Sequence, residues 1–174
     1  MRSACRLSRS RGFTVVELLI VLVVLAIAAA VVIPSIGTAA DSQAISAARV
    51  VASDLEIARS LAVTTQQPHA LVFRPDLKAY KVVANYSGGA YATAVAVPHP
   101  VVQGRLFEVV LAEQSGMGAV TVSSATFGSV PYVTFNSQGE PSSAGIATIR
   151  SGNVVMQVSV AILTGTVTVT RTSG

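Results

Sequence analysis

Eight carboxylates, twelve lysines and arginines, two histidines and one cysteine make up the charged, imidazole and thiol groups of this 174-residue chain. One of them stands where it should be costly. Glu17 lies near the start of an apolar run from Phe13 to Ile33, twenty-one residues interrupted only by Thr14 and Glu17 itself. A carboxylate within a bilayer-embedded helix costs about 2.5–3.5 kcal/mol and marks a function with a definite partner. For an anion among methylenes, that partner is an amine.

The other reactive groups form no comparable constellation. His69 and His99 have no Asp, Glu or Cys at metal-ligand spacing, so a surface or hydrogen-bonded structural role outweighs catalysis for both. Serines are plentiful, but no Gly-x-Ser-x-Gly elbow occurs. Gly116-Met117-Gly118 lacks the third glycine and following helix of a dinucleotide fingerprint and reads as a turn. Asn136 and Glu140 flank a loop with two oxygen-bearing side chains, far short of the six to eight ligands calcium takes. We therefore expect no catalytic residue, metal or cofactor.

Arg74, Lys78, Lys81, Arg105, Arg150 and Arg171 could contact phosphates. The net charge of +4, however, comes from Arg2, Arg6, Arg9 and Arg11, and residues 13–174 carry eight basic and eight acidic side chains. Scattered solvated charge is the better reading, and nucleic acid is an unfavoured partner. Cys5 is the only thiol, so the chain beyond it has neither a disulfide framework nor a cysteine nucleophile.

The elements that must position Glu17 follow from hydropathy. The run from Phe13 matches the roughly 20 residues that cross a hydrocarbon core. The four upstream arginines predict that residues 1–12 stay in the cytoplasm while the rest is exported. Beyond Pro34, Gly37, Thr38, Asp41, Ser42 and Gln43 mark emergence from the membrane. Ala44, Ala48, Val51, Leu55, Ala58 and Ala62 then recur at alternating steps of four and three, a narrow helical stripe. Glu56 and Arg59 are spaced for an i,i+3 pair. A helix from Phe13 to about Thr64 would be about 78 Å long.

From Gln66 the helical signal gives way to short β-type runs punctuated by Gly, Pro, Asn and Ser. Strands are expected near 69–74, 78–84, 91–97, 106–111, 119–122, 132–135, 146–150, 154–163 and 166–170, with hairpin turns at Ser151-Gly152 and Thr164-Gly165. Asn85 to Ala90 reads as a flexible loop, and Pro98 and Pro100 should break pairing. The fold class is α+β: a long N-terminal helix and an antiparallel β-sandwich-like or partly open barrel head.

Gly12-Phe13-Thr14-Val15-Val16-Glu17-Leu18 resembles the class III signal of type IV prepilins and type II secretion pseudopilins. The resemblance implies cleavage between Gly12 and Phe13 by a prepilin peptidase, N-methylation of Phe13, and retention of the helix. The new amine would lie four residues before Glu17 and could neutralise Glu17 of a neighbouring subunit. Pro34 stands where many pilins kink this helix. A second resemblance runs from Ile45 through Arg59 to Ala62, and again from Val133 through Phe135, Asn136 and Gly139 to Ser143, then Ile146–Ile149, Val158–Val160 and Leu163–Val167. These segments are similar to the minor pseudopilin H (GspH/FimT) family, shared with a group of minor type IV pilins. Thr166 departs from it, since a basic residue often follows the Thr-Gly turn.

The implied organisation is a cleaved leader (1–12), a transmembrane or filament-core helix (13–34), an amphipathic stalk (35–65) and a periplasmic head (66–174), anchored in a bacterial inner membrane. The expected function is that of a non-catalytic minor pseudopilin at the tip of a periplasmic pseudopilus. Its partners would be the prepilin peptidase, other major and minor pseudopilins and inner-membrane lipid, with secreted cargo or the secretin as further contacts. Competing readings are a minor type IV pilin that binds DNA and a membrane-tethered hydrolase. Two others, a secretory signal peptide cut after Ala26-Ile27-Ala28 and a plain single-span anchor, leave Glu17 unexplained.

Overall fold

The computed structural model describes residues 13–32 and 35–173, the side chains of 29–39 and 173 excepted. The leader, Gly12, Ile33 and Pro34 lie outside these residues. Among the described residues there are two α-helices, α1 (Val15–Val32) and α2 (Ser35–Thr65). Among the described residues no helix is long and apolar enough to cross a membrane. The apolar run of the sequence extends past them at its C-terminal end. The chain divides into two compact units, 1–36 and 37–174.

In the second unit, α2 buries one stripe. Ala44, Ala47, Ala48, Val51, Leu55, Ala58 and Ala62 are fully buried, the positions that the four-three spacing predicts, joined by Ala47. Five of the seven are alanines, which let the helix axis approach the sheets closely. The helix ends where its own side chains take up the last carbonyls. Thr64 Oγ1 donates to Ser60 O at 2.8 Å, Thr65 Oγ1 to Leu61 O at 2.7 Å and Gln66 Nε2 to Val63 O at 2.7 Å. Gln66 takes the left-handed conformation (φ 55°) that stops a helix, and Pro68 follows.

Eight strands follow: β1 (His69–Phe73), β2 (Ala79–Ala84), β3 (Glu108–Val110), β4 (Thr121–Phe127), β5 (Tyr132–Phe135), β6 (Gly145–Ser151), β7 (Val154–Val160) and β8 (Val167–Ser173). They form two antiparallel four-stranded sheets, in the orders β3-β2-β1-β5 and β4-β6-β7-β8. The α2 stripe joins Leu71, Phe73, Tyr80, Val82, Val133 and Phe135 of the first sheet and Phe127, Ala147, Ile149 and Val158 of the second in one core. Both expected hairpin turns are present, with Gly152 (φ 57°) between β6 and β7 and Gly165 (φ 64°) between β7 and β8.

Three expectations need correction. Residues 91–97 form no strand: Tyr91–Thr93 is a 3-10 turn, and only Ala96 bridges to Val83. Every residue of β1 is buried, so the first sheet needs cover on its back. Tyr86, Tyr91 and Ala94 supply it, packing with Tyr132 over Ala70, Val72 and Val83. β4 continues to Phe127, well beyond residue 122. A bulge between Val122 and Ser124 shifts its register and hides the period-two pattern. β7 ends at Val160, and Ile162 and Leu163 project from the turn that follows.

Candidate assembly site

Thr14 sets the start of α1. Its Oγ1 accepts the Glu17 backbone N–H at 3.2 Å, and its carbonyl accepts the N–H of Leu18 at 3.2 Å. This is an N-cap with Glu17 at the third helical position, and Thr14-x-x-Glu17 has the sequence of a capping box. Thr14-x-x-Glu17 is a local signal, legible in the sequence, that Glu17 considered alone does not reveal.

Glu17 is the only charged residue of α1 and lies in its first turn. A carboxylate at a helix N-terminus gains typically 0.3–1 kcal/mol from the helix dipole. The cost of a charge within a membrane helix is several times larger. Helix polarity alone therefore does not account for an acid at this position. Its surroundings are apolar on every side: Leu18, Leu19, Ile20, Leu22, Val24, Leu25 and Ile27 are all exposed. A helix apolar all round belongs in lipid or in a packed helical core. Phe13, the residue after the predicted cleavage point, is likewise exposed.

The head positions the rest of the chain's charge. Arg59 Nε donates to the Gly139 carbonyl at 3.0 Å and its Nη1 lies 3.7 Å from Glu56, the pair expected from spacing. Glu56 also accepts the Val167 N–H at 3.4 Å. These contacts hold α2 against the β5–β6 and β7–β8 turns, two of the segments that carry the second resemblance. Asn136 closes the β5–β6 loop on itself. Its Oδ1 accepts the N–H groups of Gln138 and Glu140, and its Nδ2 donates to Glu140 Oε2 at 2.9 Å. Asn136 is thereby committed within its own turn.

His69 is buried with Nδ1 2.9 Å from the Gln67 carbonyl, a structural setting. His99 Nδ1 accepts the N–H groups of Val101 and Val102, each at 3.1 Å, and its ring packs on Phe107 with centroids 4.5 Å apart. No group of three or more His, Cys, Asp or Glu side chains that could hold a metal occurs among the described residues.

The candidate phosphate contacts are partly spoken for. Arg74 is paired with Asp76 at 2.7 Å, which holds that carboxyl below the ordinary carboxylate range. Lys81 is buried, donating to the Ala94 carbonyl with its ammonium 4.1 Å above the Tyr91 ring. Tyr91 in turn donates to Glu108 at 2.9 Å. This chain of contacts fastens the 91–94 segment across the first sheet. The sequence reading had taken Lys81 for surface charge.

One carboxylate in the head is buried with no ion pair among the described residues. Asp54 on α2 is 8% exposed, and its Oδ2 accepts the Tyr80 hydroxyl at 2.6 Å. Burial lifts its carboxyl above the usual range, while the Tyr80 hydrogen bond and His99 draw it back. Tyr80, itself fully buried, is pushed well above the ordinary phenol range. Neither residue was singled out by the sequence reading.

The arrangement of an apolar N-terminal helix, a packed alanine-striped helix and two antiparallel sheets is that of the type IV pilin-like proteins. Among solved structures, the minor pseudopilin EpsH from the type 2 secretion system of Vibrio cholerae matches with a TM-score of 0.53 at 12% identity, over 74% of this chain and 97% of that one. The Pseudomonas aeruginosa type IV minor pilin FimU matches with a TM-score of 0.52 at 14% identity, over 77% and 94%. Residues 47–166 match the family described as Type II transport protein GspH, and residues 7–33 match the prokaryotic N-terminal methylation motif. No curated protein matches the sequence significantly. The chain belongs to the GspH family, a structural pilin-like class, and carries the motif of a membrane-anchored pseudopilin.

Proposed function

We propose that this protein is a non-catalytic minor pseudopilin of a type II secretion system, cut between Gly12 and Phe13 and methylated at Phe13. In this reading residues 1–12 are a cytoplasmic leader, 13–34 a helix kinked at Pro34 that leaves the inner membrane for a filament core, 35–65 the stalk and 66–174 a periplasmic head. The subunit joins the tip of a short pseudopilus, where its head meets other minor subunits, cargo or the secretin. The observation that carries the reading is Glu17, the sole charge of α1, lying within the matched methylation motif on a chain whose stalk and head match the GspH family. Cleavage would create an amine four residues ahead of that carboxylate, which supplies the cation an acid in an apolar setting requires.

A second reading is a minor type IV pilin. The near-equal likeness to EpsH and FimU supports either one. The decisive measurement for the processing step is intact mass with N-terminal fragmentation of the protein recovered from its native membrane. A terminus at methylated Phe13 supports the prepilin route. A terminus near Ala29 would overturn it in favour of a secretory signal peptide.

A further inference from the structure

Asp54 opens onto a cleft of about 160 Å³ that also involves Val50 on α2, the segment around His99, Val102, Arg105 and Leu106, the β3 residues Glu108 and Val109, and Gln114. We propose that this cleft is a binding site for a basic side chain, a lysine or arginine presented by a partner protein.

Asp54 is nine-tenths buried, one of its oxygens is taken by Tyr80, and it has no ion-pair partner among the described residues. Buried carboxylates are ordinarily paired, because removing a lone charge from water is far costlier than removing a bonded pair. Glu108, which also borders the cleft, turns its carboxylate to the other face of the first sheet, where it pairs across the strands with Lys81 and accepts the Tyr91 hydroxyl, so Asp54 is the one anion the cleft offers among the described residues.

Arg105 is exposed and makes no ion pair among the described residues. His99 accepts two backbone N–H groups at Nδ1, which commits that nitrogen to its own loop.

A volume of about 160 Å³ falls below the roughly 300–1,000 Å³ of small-molecule pockets. It suits a single unbranched side chain. Val50, Val102, Leu106 and Val109 give that side chain apolar walls, and Val102 and Leu106 are themselves substantially exposed at the surface. Lysine and arginine combine an aliphatic stem with a cationic head, and such side chains bury the stem while satisfying the head. Here the head would meet Asp54 and the stem would cover Leu106.

The test uses the full chain in detergent micelles, with backbone amide NMR during titration by N-acetyl-arginine methylamide. The lysine analogue forms a second arm and the uncharged citrulline analogue the control. Saturable shifts are expected at Val102, Leu106, Glu108 and Gln114 with both cations and none with citrulline. Asp54→Asn should weaken binding at least roughly tenfold, since charge-assisted hydrogen bonds are the strong ones, and the carboxyl signal of Asp54 should titrate at lower pH when the site is filled. Should Asp54→Asn fail to fold, Leu106→Asn, a change on the exposed cleft wall that the stem would cover, provides the comparison with a several-fold loss. Shifts equal with citrulline, shifts that never saturate, or binding unaltered by the folded variants would overturn the assignment.

Discussion

The Tyr80 hydroxyl donates to Asp54 at 2.6 Å, bonding α2 to the middle of the first sheet through the interior of the head. Both partners are buried. Tyr80→Phe keeps the ring against Phe73, with which it packs at 5.5 Å, and removes only the donor. An unsatisfied buried acceptor costs about 1–3 kcal/mol. Urea denaturation of the detergent-solubilised chain should show a loss of that size. An unchanged midpoint would mean that water replaces the hydroxyl.

Asp54 also predicts a pH dependence with a definite sign. Its folded pKa is raised above 3.8, chiefly by burial, so the stability it contributes is present below 3.8 and is lost as pH rises through the folded value. At neutral pH the ionised group therefore weighs against the fold. Asp54→Asn should melt at or above the parent temperature at neutral pH, with the gap closing on acidification below about 4. Asp76, lowered by Arg74, has the opposite sign: what it contributes is present above 3.8 and fades as pH falls through its folded value. Melting curves of the parent, Asp54→Asn and Asp76→Asn across that range separate the two effects.

Glu17→Gln keeps the size and removes the charge. Under the proposed pairing, it should be inserted and processed at Phe13 yet fail to join the filament, as read by cross-linking to neighbouring subunits. Normal incorporation would count against an amine partner. Gly12→Ala should persist as uncut precursor on immunoblots, and efficient cleavage would sink the assigned recognition site.

Gly165 and Gly152 both occupy left-handed turns, with φ of 64° and 57°, but their surroundings differ. A Cβ on Gly165 would lie 2.7 Å from the Gly139 carbonyl oxygen and 3.1 Å from Arg59 Nε, whereas on Gly152 it would meet only Ala40 Cβ at 3.2 Å. Each alanine pays about 1 kcal/mol for the left-handed conformation. Gly165→Ala adds a backbone collision and disturbs the Arg59–Gly139 bond, so its total should reach about 2–3 kcal/mol. Paired thermal melts would show the difference, and equal losses would refute the role given to Gly139.

The stalk was legible because its stripe repeats with helical period over five turns, and every residue assigned to it is buried. The hairpins at Gly152 and Gly165 were legible from turn chemistry. The 91–97 segment was misread because alternating apolar residues also suit a cover over a sheet, and only the fully buried β1 reveals that such a cover is required. β4 was cut short because a bulge breaks local periodicity, and what extends the strand is pairing with β6, eighteen or more positions away. At the N-terminus, the conspicuous Glu17 drew attention from the threonine that caps its helix. Asp54 and Tyr80 are separated by 26 positions and by an entire strand, so no local pattern links them.

The uniform apolar exterior of α1 bears on how an assembly keeps its order. Leucine, valine, isoleucine and alanine on every side present much the same greasy surface after any turn or slide of the helix. Among lipid tails or like helices, no preferred angle follows from such a surface, because one hydrocarbon contact substitutes for another. A single fixed charge ends that indifference. In the proposed assembly it would act as a notch on an otherwise smooth rod, giving neighbours one depth and one direction at which to stop.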